Sequence, residues 1–297
     1  EPVGVGRADG HPPSLRVPRA CAGMSDASHT VGGMSQWQLP LPLWGDDALD
    51  LVPRTADGTG EAGGNATTSP RGWADVVGVF DLETTGIDVT HDRIVTAHVG
   101  LLDASGTALR SRSWIADPGV AIPEGATAVH GITTAHARAH GRPAAEVVAE
   151  VTAELRDLFA DGIPVVAYNA PYDFSLLKYE ALRHGIPPID APAPVVDPLV
   201  LDKAHDRFRK GKRTLEVVAA HYEVALVGAH DAAADAIAAG RVAQALARRF
   251  ALTGPVEELH TQQIAWARAQ AESLTEYFIR IGRLDPSDAL DGSWPIR

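Results

Sequence analysis

Residues 75–86 read DVVGVFDLETTG, and this short run constrains the chain more than any other. Its first half is β-branched and aromatic, the composition of a buried strand. It then ends in two acids, Asp81 and Glu83, two positions apart. On a strand, side chains i and i+2 share a face, so both carboxylates project together from the strand's end. Two like charges so close raise each other's pKa unless something positive lies between them. A divalent metal is the usual answer. The plainer alternative, a strand closing in the polar turn residues Thr84, Thr85 and Gly86, stays open at this point.

The pattern around that run predicts an α/β domain. Strands are expected at 75–82, 93–101 and 107–115, and short connections between them suggest an antiparallel meander. A helix follows at 144–160, where apolar residues recur at helical spacing. The pattern continues as a buried strand (164–168), a helix (171–184), a short strand at Val195-Val196, and helices near 198–206, 214–221 and 231–250. Strands followed by alternating strand and helix indicate an α/β fold. Residues 256–281 read as one more amphipathic helix. Residues 1–72 are rich in Gly, Pro, Ser and Ala without periodicity, and are expected to be a disordered tail and linker. The expected organisation is therefore 1–72 tail, 73–252 catalytic domain and 253–297 C-terminal helical extension.

Bulk properties narrow the class. The net charge of −12 argues against non-specific duplex binding through global charge. A cluster of metal-binding acids is itself negative, so a nucleic-acid enzyme would need a local basic patch. No apolar run approaches the roughly 18 residues of a membrane span, and the opening residues show no apolar signal region. The single cysteine, Cys21, excludes internal disulfides and any multi-cysteine zinc site. A cytoplasmic protein is expected. The chain starts with Glu1 and carries Met24 and Met34 downstream, which suggests a later translation start.

Two further segments carry acids. In VVAYNAPYDFSLL (165–177), Asp173 falls on the first turn of a helix that follows a buried strand. In AHDAAADAIAAG (229–240), His230 sits at a helix start and Asp235 lies inside the helix. Taken singly, each has a plain structural reading: an acid favoured by the helix dipole, a surface cap, a solvated helix face. Taken together, Asp-x-Glu on a first strand, Asp on a later helix and His-x4-Asp on a last helix resemble the DEDDh branch of the DEDD exonuclease superfamily. That branch includes the proofreading epsilon subunits of bacterial DNA polymerase III. The resemblance covers residues 74–250, and the position that carries a Tyr in the sister branch is Asp231 here.

The resemblance implies a ribonuclease-H-like mixed five-stranded sheet flanked by helices. It also implies a 3′–5′ exonuclease that releases nucleoside 5′-monophosphates from single-stranded ends. Two Mg²⁺ or Mn²⁺ ions about 4 Å apart would serve such hydrolysis, held by oxygen ligands. Asp81, Glu83, Asp173 and Asp235 would form the cage, and His230 would act as general base, a task for which the imidazole side chain is suited at neutral pH. Thr84 would hold the terminal 3′ hydroxyl. His130, in the stretch AVHGIT (128–133), would contact the terminal nucleotide, with a plain turn histidine as the equal alternative. Leu82, Tyr172 and Phe174 would pack on the last bases or support the site.

Two segments lie outside those motifs. RFRKGKR (207–213) is basic at five of seven positions in an acidic chain, and Arg209, Lys210 and Lys212 are candidates for phosphate contact. In MSQWQLPLPLWG (34–45), the hexapeptide 38–43 resembles the motif by which bacterial proteins dock on the DNA sliding clamp, with Gln38, Leu39, Leu41 and Leu43 as its contacts. Its prolines would lower the ordering cost of docking. A polymerase is a further partner the resemblance implies. Two rival functions remain at this stage: an RNA-trimming member of the same superfamily acting on RNA 3′ ends, and a catalytically silent clamp-binding adaptor.

Overall fold

The computed structural model describes residues 72–297. A 3-10 turn at Trp73–Asp75 leads into β1 (Val76–Thr84), β2 (Ile94–Asp103) and β3 (Ala108–Asp117). These three strands form an antiparallel meander in which Asp81 lies opposite His98 and Glu83 opposite Thr96. Two short helices follow, α1 (Glu124–His130) and α2 (Thr134–His140), then a two-residue strand β4 (Arg142–Pro143). The long α3 (Ala144–Ala160), β5 (Val165–Val166), α4 (Ala170–Arg183), β6 (Val195–Val196) and α5 (Pro198–His205) come next. The described chain closes with α6 (Leu215–His221), α7 (Ala232–Arg249) and α8 (Val256–Arg280).

The strands form one mixed sheet in the order β4-β3-β2-β1-β5-β6. β5 runs parallel to β1 and β6 parallel to β5. The sheet has six strands where five were expected. The extra one, β4, pairs with the last residues of β3 over two positions. A segment that short carries no alternation to read. The same holds for α1 and α2, seven residues each, which the sequence pattern did not reveal.

Alternation along β1 divides the core into two layers. Phe80 and Leu82 face α3 and α4, against Val147, Val151, Leu155, Phe174 and Leu177. Val77 and Val79 face the other way, against Ala236, Ala239, Val242 and Ala243 of α7. Asp81 and Glu83 continue the α7 face by the two-residue period. α8 closes one edge of the domain. Its buried Gln263 accepts from the Asp197 amide (2.7 Å) and donates to the Val195 carbonyl (3.0 Å), which completes the hydrogen bonding of β6. Among the described residues, no helix is long and apolar enough to cross a membrane.

Candidate active site

Three elements deliver the acids to one place. The pleat of β1 supplies Asp81 and Glu83, and its ladder with β2 shifts register just beyond Glu83. Asp173 arrives on the first turn of α4. The chain turns there through Asn169 in the left-handed region (φ 62°). The buried Asp197 carboxylate fixes that turn by accepting from the Asn169 and Ala170 amides, both at 3.0 Å. The Leu82 amide donates to Asp173 Oδ1 at 3.1 Å, which ties Asp173 to the residue between the two strand acids.

The third element is α7. Asp231 caps it, accepting from the Ala233 and Ala234 amides. His230, just before the cap, is held at φ 67°, and its amide donates to Asp235 Oδ2 at 3.1 Å. α7 comes this close to the sheet because residue 240 is glycine. A Cβ there would lie 2.5 Å from Val79 Cγ1 and 2.6 Å from Leu102 Cδ1.

The electrostatics are those of crowded like charges. Burial pushes Asp81 well above the usual carboxylate range, and Asp173, Glu83 and Asp235 push it further. Glu83 is raised to about 8, first by burial and then by Asp235 and Asp173. Burial raises Asp235 to about 6, against the opposing pull of the His230 amide and ring. Asp173 is raised by burial, with the Leu82 amide acting the other way. The Oδ1 atom of Asp235 is buried without a hydrogen-bond partner. Glu83, His230 and Asp235 each offer a ligand atom, all within 4.8 Å of one another. Hard oxygen donors that repel one another and leave a buried lone pair unused fit a divalent cation.

The remaining sequence candidates fall into three groups. Thr84, Tyr172 and His130 border the acids. The Thr84 hydroxyl and the Tyr172 hydroxyl both donate to the Gly86 carbonyl, at 2.7 and 2.6 Å, which pins the turn after β1. Burial holds the His130 pKa down, and the ring is close enough to Thr84 and His230 to feel both. Leu82 and Phe174 lie in the core, Phe174 with its ring 5.3 Å from that of Phe80. They support the site and are closed to stacking on bases. In the basic run, Lys210 and Lys212 are exposed. Arg209 instead turns inward onto Asp202 (2.5 Å) and Asp206 (3.3 Å). Gln38, Leu39, Leu41 and Leu43 lie outside the described residues.

One neighbour of the site was not legible beforehand. Glu216, on the first turn of α6, places Oε1 3.6 Å from His230 Nε2. Glu216 and His230 are fourteen positions apart on different elements, so no periodicity or motif spacing links them.

Residues 79–243 match the RNase T exonuclease family. The chain is 32% identical over 174 residues to the PolC-type DNA polymerase III of Lacticaseibacillus paracasei. That alignment takes in 58% of this chain and 11% of the polymerase, so the chain spans about a tenth of that relative's length. Among solved structures it is similar to Escherichia coli exonuclease I in complex with a dA16 oligonucleotide. There the TM-score is 0.53 and the identity 20%, covering 60% of this chain and 42% of that one. A zinc-bound form of the same enzyme with single-stranded DNA gives a TM-score of 0.50 at 21% identity, covering 59% and 41%. At these identities the structural likeness is one of fold.

Proposed function

The chain belongs to the RNase T exonuclease family, and from that premise we propose that it is a 3′–5′ exonuclease acting on single-stranded DNA. It hydrolyses the last phosphodiester bond, releases a nucleoside 5′-monophosphate and leaves a new 3′ hydroxyl. The observation that carries this reading is the convergence of four acids and a histidine from β1, α4 and α7, with the acids raised by burial and Asp81 and Glu83 raised further by their acidic neighbours. The oligonucleotide complex of the similar exonuclease I supports single-stranded DNA as the substrate class. The PolC-type relatives support a proofreading or repair setting beside a polymerase, within the cytoplasm.

A divalent metal suits the donor set. Asp81, Glu83, Asp173 and Asp235 would hold it, with Mg²⁺ or Mn²⁺ as the proposed ions. Bound there, the ions would neutralise charge on the phosphoryl oxygens and activate water at neutral pH. The protein's own residues supply the rest. His230 takes the proton from the attacking water, and Glu216 stabilises the imidazolium that results. His130 and the Thr84 turn flank the terminal nucleotide, and Tyr172 keeps that turn in place. Residues 73–252 form the catalytic domain, 253–297 pack on it, and the tail motif at 38–43 tethers it to a sliding clamp. A peptide spanning 34–45 that fails to bind purified clamp would remove that last element.

Product analysis on matched 5′-labelled single-stranded DNA and RNA tests the main reading. A ladder shortening from the 3′ end of DNA, lost in Asp81→Ala and His230→Ala, is the expected result. A ladder mainly on RNA would move the chain to the RNA-trimming members. Silence on both would favour a clamp-binding adaptor.

A further inference from the structure

The 207–213 run spends its charges in two ways. Arg209 and Arg213 both turn inward onto the buried Asp202 carboxylate, each at 2.5 Å. Arg213 also donates to the carbonyls of Asp206 and Arg209, at 2.6 and 3.0 Å. Tyr168, two residues beyond β5, donates to the Arg213 carbonyl at 2.7 Å, so the loop is bolted to the segment that leads from β5 to Asp173. Two arginines therefore fix the loop's shape. What the fixed loop presents outward is different: Lys210 and Lys212 are exposed, and the Phe208 side chain is 72% exposed. The Arg207 guanidinium lies over the Phe208 ring, 5.7 Å from its centroid.

The loop thus holds two lysines and an aromatic ring in water on one buttressed surface. A phenylalanine that is 72% exposed adds little to folding, since it buries little apolar area. Its place narrows the use. The loop runs directly into α6, whose first turn holds Glu216 beside His230. Lys212 and Glu216 are four positions apart, so their Cα atoms lie within about 14 Å of each other. In a chain of net charge −12, a positive surface at that distance attracts a polyanion that reaches the acids end-first.

We infer that the 207–212 loop is a platform for single-stranded nucleic acid upstream of the scissile bond, with Lys210 and Lys212 on backbone phosphates and a base stacked on Phe208. This rests on the nuclease reading above for where the strand goes next. The chemistry it uses is sequence-tolerant: phosphates are met by point charges, and every base has a face to stack. It therefore predicts a length preference and no base preference.

The test is binding, so that it does not depend on turnover. Fluorescence anisotropy with labelled dT20 and dT2 would be run on the full chain in EDTA. Phe208→Ala should raise the Kd for dT20 by on the order of tenfold, with Phe208→Trp restoring it and Phe208→Leu failing to. Lys210→Ala with Lys212→Ala should flatten the slope of log Kd against log salt by about 1.4, at about 0.7 per single-strand phosphate. Binding of dT2 should be unchanged in all of them. Unchanged dT20 affinity, equal losses on both lengths, or tighter binding of an acidic polyglutamate peptide than of dT20 would each overturn the inference. The expected losses of dT20 affinity in these variants, with a wild type that cleaves nothing, would sustain the platform while removing the nuclease reading.

Discussion

The chain handles buried acids in two opposite ways. Asp202, fully buried, is met by Arg209, by Arg213 and by the Tyr222 hydroxyl at 2.9 Å. Asp81, Glu83, Asp173 and Asp235 have no cationic partner of that kind: burial raises all four, and repulsion from other members of the set adds to Asp81 and Glu83. Both clusters sit in folded protein near the same strand ends. The first uses its acid to fix a loop. The second is incomplete as a set of protein charges, which is what a cation site looks like before the cation is considered.

The contrast can be broken at either pole, and the largest effect lies at the catalytic one. His230→Ala should lower kcat by roughly 10²–10⁴-fold, the range for losing a positioned general base, read by initial rates on 5′-labelled DNA. Asp81→Asn should abolish activity, yet raise the melting temperature of the metal-free protein at pH 8, because it removes one of the repelling charges. At the other pole the sign reverses. Asp202→Asn leaves two buried guanidinium groups short of their carboxylate and should cost about 3–5 kcal/mol in urea denaturation. A stabilising Asp202→Asn would erase the distinction between the clusters.

A smaller effect concerns how the catalytic cluster is assembled. Gly240→Ala drives a methyl into Val79 and Leu102 and should destabilise by about 1–3 kcal/mol. It should lower kcat as well, since it lifts the helix that carries His230 and Asp235 off β1. Loss of stability with unchanged kcat would show that α7 can shift without disturbing the site.

A further effect is on pH dependence. In the unfolded chain a glutamate releases its proton near pH 4.3, whereas folded Glu83 holds it to about 8. Between those values the native state binds more protons than the unfolded one. Stability of the metal-free protein should therefore fall as pH rises from about 5 to 8. Saturating Mg²⁺, which replaces those protons, should flatten or reverse that trend in thermal melts. An identical slope with and without Mg²⁺ would contradict it.

Much of this was legible in the sequence because the signals were periodic or chemically conspicuous. The runs around 76–84, 94–103 and 108–117 alternate or stay apolar long enough to be recognised as strands. The 17-residue α3 and the 18-residue α7 have clear apolar faces. Asp81 and Glu83 stood out because acids at the end of an apolar strand are out of place, whereas Asp173, His230 and Asp235 were named only through the resemblance that the whole set carries. What was not legible depends on three dimensions. β4, α1 and α2 are too short to show a period. Glu216 meets His230 only because α6 packs beside α7. A run of basic residues does not say which of them turns inward, and Arg209 does so because the buried Asp202 lies on that side of the loop.

The most direct measurement is a calorimetric titration of Mn²⁺ into the protein at pH 7, repeated in two buffers of different ionisation enthalpy to count the protons exchanged. Saturable binding with release of about one proton or more is expected, because Glu83, raised to about 8, still holds its proton at that pH. Asp81→Asn and Asp235→Asn should weaken or abolish that binding. No saturable binding, or binding that releases no protons and survives both substitutions, would contradict the claim that these acids form a divalent-metal centre.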